Sequence, residues 1–285
     1  MKENSVVKIS VILTCHNRKE KTILALNSLL DNAIKNNNYE IKLFVCDDGS
    51  TDGTSQLVAE RYPTSIICKG DGDLFWARGM ACALEEADKY YADFYLMIND
   101  DVMFFDNAID IMLESYYKQQ KDKIAISGAT KDPLTGEYTY GGCFDRKDRG
   151  TKVFPTEPCS SCELANWNCF LIPQKLYMEI GPIDNYYEHS YADFDYSKRI
   201  NQKGYKIFVA SQYIGECSRN AISGTWQDKT LSIRQRISRL HTRTGLPIKS
   251  QIHYYKKFYP QKWIYYVAKP YLIIFKDGLL HKLKR

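Results

Sequence analysis

Two adjacent carboxylates, Asp100 and Asp101, close the apolar run Phe94-Tyr95-Leu96-Met97-Ile98. Like charges side by side repel, and each is costly to bury unless a cation sits between or beside them. A divalent metal carrying a diphosphate suits hard oxygen ligands at the C-terminal end of a strand. The plainer reading is a solvated turn, which Asn and Asp also favour. Two more polar clusters follow apolar runs: Thr14-Cys15-His16-Asn17-Arg18 after Lys8–Leu13, and Asp47-Asp48-Gly49-Ser50-Thr51-Asp52-Gly53-Thr54 after Ile41–Cys46. A second acidic group, Glu188, Asp193 and Asp195, precedes a helical stretch that stops near Gly204, a suitable C′ glycine. Acids there either cap the helix or take a proton from a substrate.

The elements that must position these groups alternate in type. Ile23, Leu26, Leu30 and Ile34 recur at helical spacing after the first strand. A second helix runs through Arg61, Ser65–Cys68 reads as a short strand, and a helix is predicted from about Arg78 to Tyr91. Strands alternating with helices predict right-handed crossovers and a mostly parallel sheet covered on both faces. Ligands of such sheets lie beyond the carboxyl ends of the strands, where the polar clusters fall.

The succession Val11-Ile12-Leu13-Thr14-Cys15-His16-Asn17-Arg18, Val45 to Thr54, Asn99-Asp100-Asp101, Gly181-Pro182-Ile183-Asp184, Asp193-Phe194-Asp195 and Gly204-Tyr205 resembles the family-2 glycosyltransferases of the GT-A fold, over roughly residues 8 to 225. The loop Gly70 to Met80 is similar to a subgroup that builds bacterial surface polysaccharides. The resemblance implies a Rossmann-like α/β nucleotide-sugar-binding fold and inverting sugar transfer. Carried over, Thr14 and His16 line the donor pocket, with an imidazole where the family more often has Tyr. Asp48 accepts from the base N–H of uracil or thymine, Asp47 shapes the loop, and Arg78 faces the diphosphate. A cation early in a helix needs an anion to offset the macrodipole. Asp101 becomes the direct ligand of Mn²⁺ or Mg²⁺, and Asp100 binds the ribose or a metal-bound water.

Asp193 stands at the position of the catalytic base, with Asp195 as a cap or positioning residue; Ala192 replaces an acid the family carries. The family's metal-binding His past the base is absent from Tyr213 to Asn220; either Glu216 substitutes for it or the metal is held mainly through Asp101 and the phosphates. Trp167 and His189 are candidates for the acceptor side, Trp167 as a platform for a sugar ring or else as a core residue.

At 285 residues, with 44% hydrophobic content, the chain can bury a full α/β core. Net charge +5 hides an asymmetry: residues 228–285 carry 14 Lys and Arg against 2 Asp and Glu, a net of +12, and the rest a net of −7. The expected organisation is a catalytic domain over 1–227, with a donor half to about 105 and an acceptor half from 106, then a basic aromatic helical extension over 228–285. The apolar stretch Trp263–Phe275 is too short, and too interrupted by Lys269 and Pro270, to span a bilayer that needs about 20 apolar residues. Its Tyr, Trp and Lys suit an anionic membrane surface; packing on the catalytic domain or in a homodimer competes, and nothing upstream supports nucleic acid. The polar start Met1-Lys2-Glu3-Asn4-Ser5 leads to the expectation of a cytoplasmic enzyme, peripheral at the inner face of the membrane, with reduced cysteines. Cys143, Cys159, Cys162 and Cys169 are candidates for zinc, although only one pair has CxxC spacing. The expected partners are a nucleotide-diphosphate sugar and a saccharide acceptor, lipid-linked. The competing readings are a nucleotidyltransferase, which would release pyrophosphate, and an inactive sugar- or partner-binding module.

Overall fold

The computed structural model describes residues 6–35, 39–145 and 150–283. Met1 to Ser5, the side chain of Ile34 and the last two residues of the basic tail lie outside them. The donor half runs β1 (Val7–Cys15), α1 (Lys19–Lys35), β2 (Tyr39–Asp47), α2 (Thr54–Arg61), β3 (Ile66–Lys69), α3 (Phe75–Ala87) and β4 (Phe94–Ile98). β5 (Met103–Phe104), α4 (Ala108–Lys118) and β6 (Ile124–Lys131) lead into short strands β7 (Gly142–Phe144), β8 (Thr151–Lys152), β9 (Ser161–Cys162) and β10 (Leu164–Ala165). Then come β11 (Cys169–Pro173), α5 (Gln174–Ile180), α6 (Ala192–Gln202), β12 (Lys206–Glu216), and the tail helices α7 (Ile233–Leu240), α8 (Ile248–Phe258) and α9 (Trp263–Leu283).

The main sheet has the order β3-β2-β1-β4-β11-β6-β12-β5, with β9 on β12. β1 to β4 pair in parallel, β12 is parallel to β6, and β11 runs antiparallel between β4 and β6. The sheet is therefore mixed but mostly parallel in its donor half, and β7, β8 and β10 form a separate small sheet. Both faces are buried, so apolar residues alternate between two cores rather than between core and water. Ile9, Val11, Leu13, Leu96 and Ile98 pack under α1, α2 and α4; Ile12, Phe44, Tyr95 and Met97 pack under α3, α5 and α6.

α3 begins at Phe75, three residues before the periodicity predicts. The reason lies elsewhere in the chain: the buried Asp48 carboxylate accepts the backbone N–H groups of Gly72, Leu74 and Phe75 at 2.9–3.2 Å. Those are donors that a helix N-terminus leaves unpaired, and a carboxylate also suits the positive end of the dipole. Asp132-Pro133-Leu134-Thr135-Gly136-Glu137, a run of turn formers, makes a turn in which the Asp132 carboxylate accepts from Leu134 and Thr135 at 3.0 Å.

The tail is not a separate appendage. Tyr254 of α8 is buried in the same core as Tyr196 of α6. Among the described residues no helix is long and apolar enough to cross a membrane.

Candidate active site

The carboxyl ends of β1, β2, β3 and β4 lie side by side, so their polar loops form one rim. Asp100 is buried and Asp101 half-buried, and the cation they require is Arg18. Its guanidinium is 2.6 Å from Asp100 and 3.3 Å from Asp101. Burial pushes the Asp100 carboxyl up to about 6, against the opposing pull of Arg18. Of the two acids, Asp101 has the longer contact and the more open side chain, 26% exposed against 7%. A pair of oxygen donors that share one guanidinium fits a hard divalent cation, with Asp101 the acid freer to take it.

Glu216 is not placed as that ion's second ligand: it pairs with Lys131 at 3.8 Å. The neighbouring Cys217 faces Asp101 instead, Sγ to Oδ1 3.9 Å, and burial pushes its thiol up to about 12. Glu216 ends β12 and Cys217 is the first residue past it, still held to β6 by its N–H, which donates to the Lys131 carbonyl at 3.0 Å.

His16 Nδ1 touches the Asp48 carbonyl, and Asn17 and Ser50 join the two loops by a 2.9 Å bond. Asp47 shapes this loop, accepting from the Ser50 N–H at 2.9 Å and from the Ser55 hydroxyl. Thr14 donates to the Cys46 carbonyl at 3.1 Å and lies against Gly79, where a Cβ would come within 2.2 Å of its hydroxyl oxygen. Its side chain thus seats α3 on the strands beneath the rim. Asn17, Phe75 and Tyr191, three of the four non-glycine residues with positive φ among those described, fall in the rim loops and at the start of α6. Strain of that kind concentrates where a site must be held in one geometry.

Arg78 bridges the donor and acceptor halves. Its Nε donates to the Asn185 carbonyl at 3.2 Å, and Glu188 at 3.6 Å is the anion that offsets it early in α3. The backbone N–H of Ala77 also donates to the Glu188 carbonyl, at 2.9 Å.

Asp193 opens α6, and burial pushes its carboxyl up to about 6, offset in part by a 3.2 Å bond from Asn166. The same segment reaches the other acids: the Asn168 carbonyl accepts from Asn99, the residue before Asp100, at 3.2 Å. Asp195 is fully buried and ties elements together, accepting from Tyr187 at 3.0 Å, Arg199 at 2.9 Å and Lys257 at 2.6 Å. His189 is half-buried beside the rim, and burial pushes its imidazole down, towards the neutral form.

Trp167 is corrected from sugar platform to core. It is 1% exposed, stacked on Phe170 at 5.4 Å between centroids, with Tyr196 edge-on at 4.9 Å. A ring covered on its face cannot present that face to a sugar. Trp76, unassigned from sequence, is half-buried and donates from Nε1 to Asn99 at 2.8 Å, next to the paired acids. The four cysteines considered for zinc are not gathered either; among the described residues the three-ligand group that closes to within 4.8 Å is Cys46, Cys68 and Cys82.

Two tail residues also went unread in the sequence. Arg243 pairs with Asp73 of the donor loop and, at 3.2 Å, with Glu188. Lys257 bridges Asp184 and Asp195. Lys257→Met should lower unfolding stability by about 1.5–3 kcal/mol, the range for hydrogen bonds to charged groups, because it takes a donor from the buried Asp195. Urea unfolding checks this, and an unchanged midpoint would mean that Arg199 and Tyr187 hold Asp195 by themselves.

A cleft of about 430 Å³ opens among Val7, Asp93, Phe94, Tyr116, Tyr117 and Pro173, at the amino ends of β1 and β4, the opposite end of the strands from the polar loops. None of the acids described above lines it.

Comparisons with known proteins bear on the family and the fold. The sequence profile described as "Glycosyl transferase family 2" matches residues 10–165. A UDP-Glc:alpha-D-GlcNAc-diphosphoundecaprenol beta-1,3-glucosyltransferase, WfaP, of Escherichia coli is 27% identical over 47% of this chain and 54% of its own. An N-acetylglucosaminyl-diphospho-decaprenol L-rhamnosyltransferase of Mycobacterium tuberculosis is 21% identical over 60% of this chain and 64% of its own. The chain thus spans between half and two thirds of the length of these curated relatives. Among solved structures, GalNAc-T7 with UDP, GalNAc and Mn2+ superposes with a TM-score of 0.59 at 13% identity, over 75% of this chain and 44% of that one.

Proposed function

The chain belongs to glycosyl transferase family 2 and has the GT-A fold, and from that premise we propose that it moves a sugar, with inversion, from a UDP- or dTDP-linked donor to a polyprenyl-diphosphate-linked saccharide. The product feeds a bacterial surface polysaccharide. One observation carries this reading: the Asp100–Asp101 pair with its cation is linked, through the segment Asn166–Asn168, to a second acid, Asp193, whose carboxyl is pushed up to about 6. Both curated relatives are named for acceptors that are diphosphate-linked polyprenols bearing GlcNAc, which supports the lipid-linked class.

In this reading His16 and Asp48 take the base. Three N–H donors occupy the Asp48 carboxylate, which has about four acceptor sites, leaving one for the base N–H. Asp101 would hold Mn²⁺ or Mg²⁺, and Asp100 would bind the ribose or a water of the ion. An ion bound there supplies Lewis-acid stabilisation of the departing diphosphate. Arg18 keeps its shorter contact with Asp100 and yields the longer one to Asp101. Arg78 exchanges Glu188 for the donor diphosphate. Asp193 removes the proton of the acceptor hydroxyl as that oxygen bonds to the anomeric carbon and the bond to the diphosphate breaks. One displacement inverts the centre. We assign His189 and the Glu188 loop to the acceptor side.

Incubation with UDP-glucose or a dTDP-deoxyhexose and GlcNAc-diphosphopolyprenol tests the reading. Nucleoside diphosphate should be released in step with a longer lipid-linked sugar. Release of pyrophosphate would mean nucleotidyl transfer, and donor binding without release would mean a binding module.

We further propose that this chemistry takes place at an anionic membrane surface, on the cytoplasmic side. α9 exposes Ile264 (66%), Leu272 (58%), Phe275 (48%) and Leu279 (64%) within a segment, residues 228–285, of net charge +12. Exposed apolar side chains beside basic ones suit the headgroup zone of anionic lipid, which supports this reading. Changing Ile264 and Leu272 together to Asp should abolish co-sedimentation with phosphatidylglycerol vesicles and leave the melting temperature unchanged. Undiminished sedimentation together with loss of a dimer would assign these side chains to a second copy of the chain.

A further inference from the structure

Three thiols from three elements meet beneath the donor loops. Cys46 of β2 sits directly opposite Cys68 of β3 in the parallel register, and Cys82 comes from α3, which packs on both strands. Their sulfur atoms all lie within 4.8 Å of one another. Cys46 is buried, Cys68 and Cys82 are half-buried, and none is in a disulfide.

We propose that Cys46, Cys68 and Cys82 form a soft-metal site that takes Zn²⁺, or another thiophilic d¹⁰ ion, through three thiolates and a water. The donor set is all sulfur, which selects such ions over the Mn²⁺ or Mg²⁺ suited to Asp101. Zinc–sulfur bonds of about 2.3 Å place tetrahedral sulfurs about 3.8 Å apart, so the thiols need to close by no more than about 1 Å. The partial exposure of Cys68 and Cys82 gives solvent the fourth position. Each thiol still protonated gives its proton to solvent as its sulfur–metal bond forms, and nothing is oxidised or reduced.

The position gives the ion a consequence. Cys46 immediately precedes Asp47-Asp48, Cys68 lies two residues before Gly70, and Cys82 shares α3 with Trp76 and Arg78. A bound ion joins the three elements that present the donor loops, and loading it should stabilise the fold without touching the nucleotide.

Cd²⁺ titration of the reduced protein, watched by ultraviolet absorbance, tests the proposal, with Zn²⁺ competed against a chromophoric chelator. Expected are one equivalent of Cd²⁺ and a thiolate-to-cadmium charge-transfer band of three-thiolate intensity. The band should be lost in Cys82→Ser, weakened in Cys68→Ser, and retained in Cys143→Ser and in Asp101→Ala. Zinc affinity should fall by roughly a hundredfold or more in Cys82→Ser, the share of one ligand in a structural site. If that variant fails to fold, zinc protection of the three cysteines from alkylation, read by mass spectrometry on the wild-type protein, decides the matter. No band, a band that survives Cys82→Ser, or no protection would overturn the site and leave three small core hydrophobes. None of these readouts depends on sugar transfer.

Discussion

Asp193→Asn should lower sugar transfer by about a hundredfold or more, the scale of a lost general base, while donor binding stays intact. Asn is nearly isosteric, so the bond with Asn166 and the start of α6 are preserved while the proton acceptor is removed. The pH profile is the more specific readout. With its carboxyl pushed up to about 6 by burial, Asp193 must ionise before it can act. The wild-type kcat/KM should therefore rise as pH passes about 6 and level off above it, and Asp193→Asn should lack that limb. Stability moves the other way. A buried carboxyl with a raised pKa keeps its proton in the fold at pH values where the unfolded chain has lost it. Its contribution thus falls as pH climbs from about 4 to about 6, and the Asn variant should flatten that part of the curve. Near-normal turnover in Asp193→Asn would place the base elsewhere; Glu188 is the next acid to test, because Asp195 is fully buried and fully engaged.

Asp101→Ala should abolish the Mn²⁺-dependent stabilisation by UDP or dTDP. A ligand at a hundred times its dissociation constant stabilises the fold by about 2.7 kcal/mol, a shift readily seen in a thermal melt. Asp101 is the acid to change because Arg18 holds it loosely, whereas Asp100 is buried at 2.6 Å from that guanidinium. Truncating Asp100 would leave Arg18 without its closer partner and confuse stability with binding. Melts of both proteins with UDP, dTDP, GDP and CMP, each with and without Mn²⁺, give the result. A metal-dependent shift that persists in Asp101→Ala would move the direct ligand to Asp100 or to the donor phosphates alone.

What the chain shows locally, it shows well. Strand ends are legible to within two residues, the apolar runs stopping at Leu13, Cys46 and Ile98 and the strands at Cys15, Asp47 and Ile98, because buried runs break abruptly into turn formers and acids; alternation with helical periods implies the parallel donor half. The acids of that rim, and the demand of Asp100 and Asp101 for a cation, follow from residue type and adjacency alone. Which cation meets the demand does not, because Arg18 lies 82 residues from Asp100 and comes near only once β4 is placed beside β1. The tail repeats the lesson: basic residues interleaved with aromatics read as a membrane surface, yet Lys257 reaches back 62 residues to Asp195, and Arg243 reaches back 170 to Asp73. Trp167 and Cys82 carry no local sign of their surroundings, one enclosed by Phe170 and Tyr196, the other brought to Cys46 and Cys68 by the packing of α3. Residue type, period and turn chemistry are properties of neighbours along the chain, and they imply the fold class and the acidic clusters, while the family rests on the resemblance of the motifs. Strand order and helix docking decide which distant side chains meet, so only the tertiary structure could assign the charge partners, the buried rings and the thiol cluster.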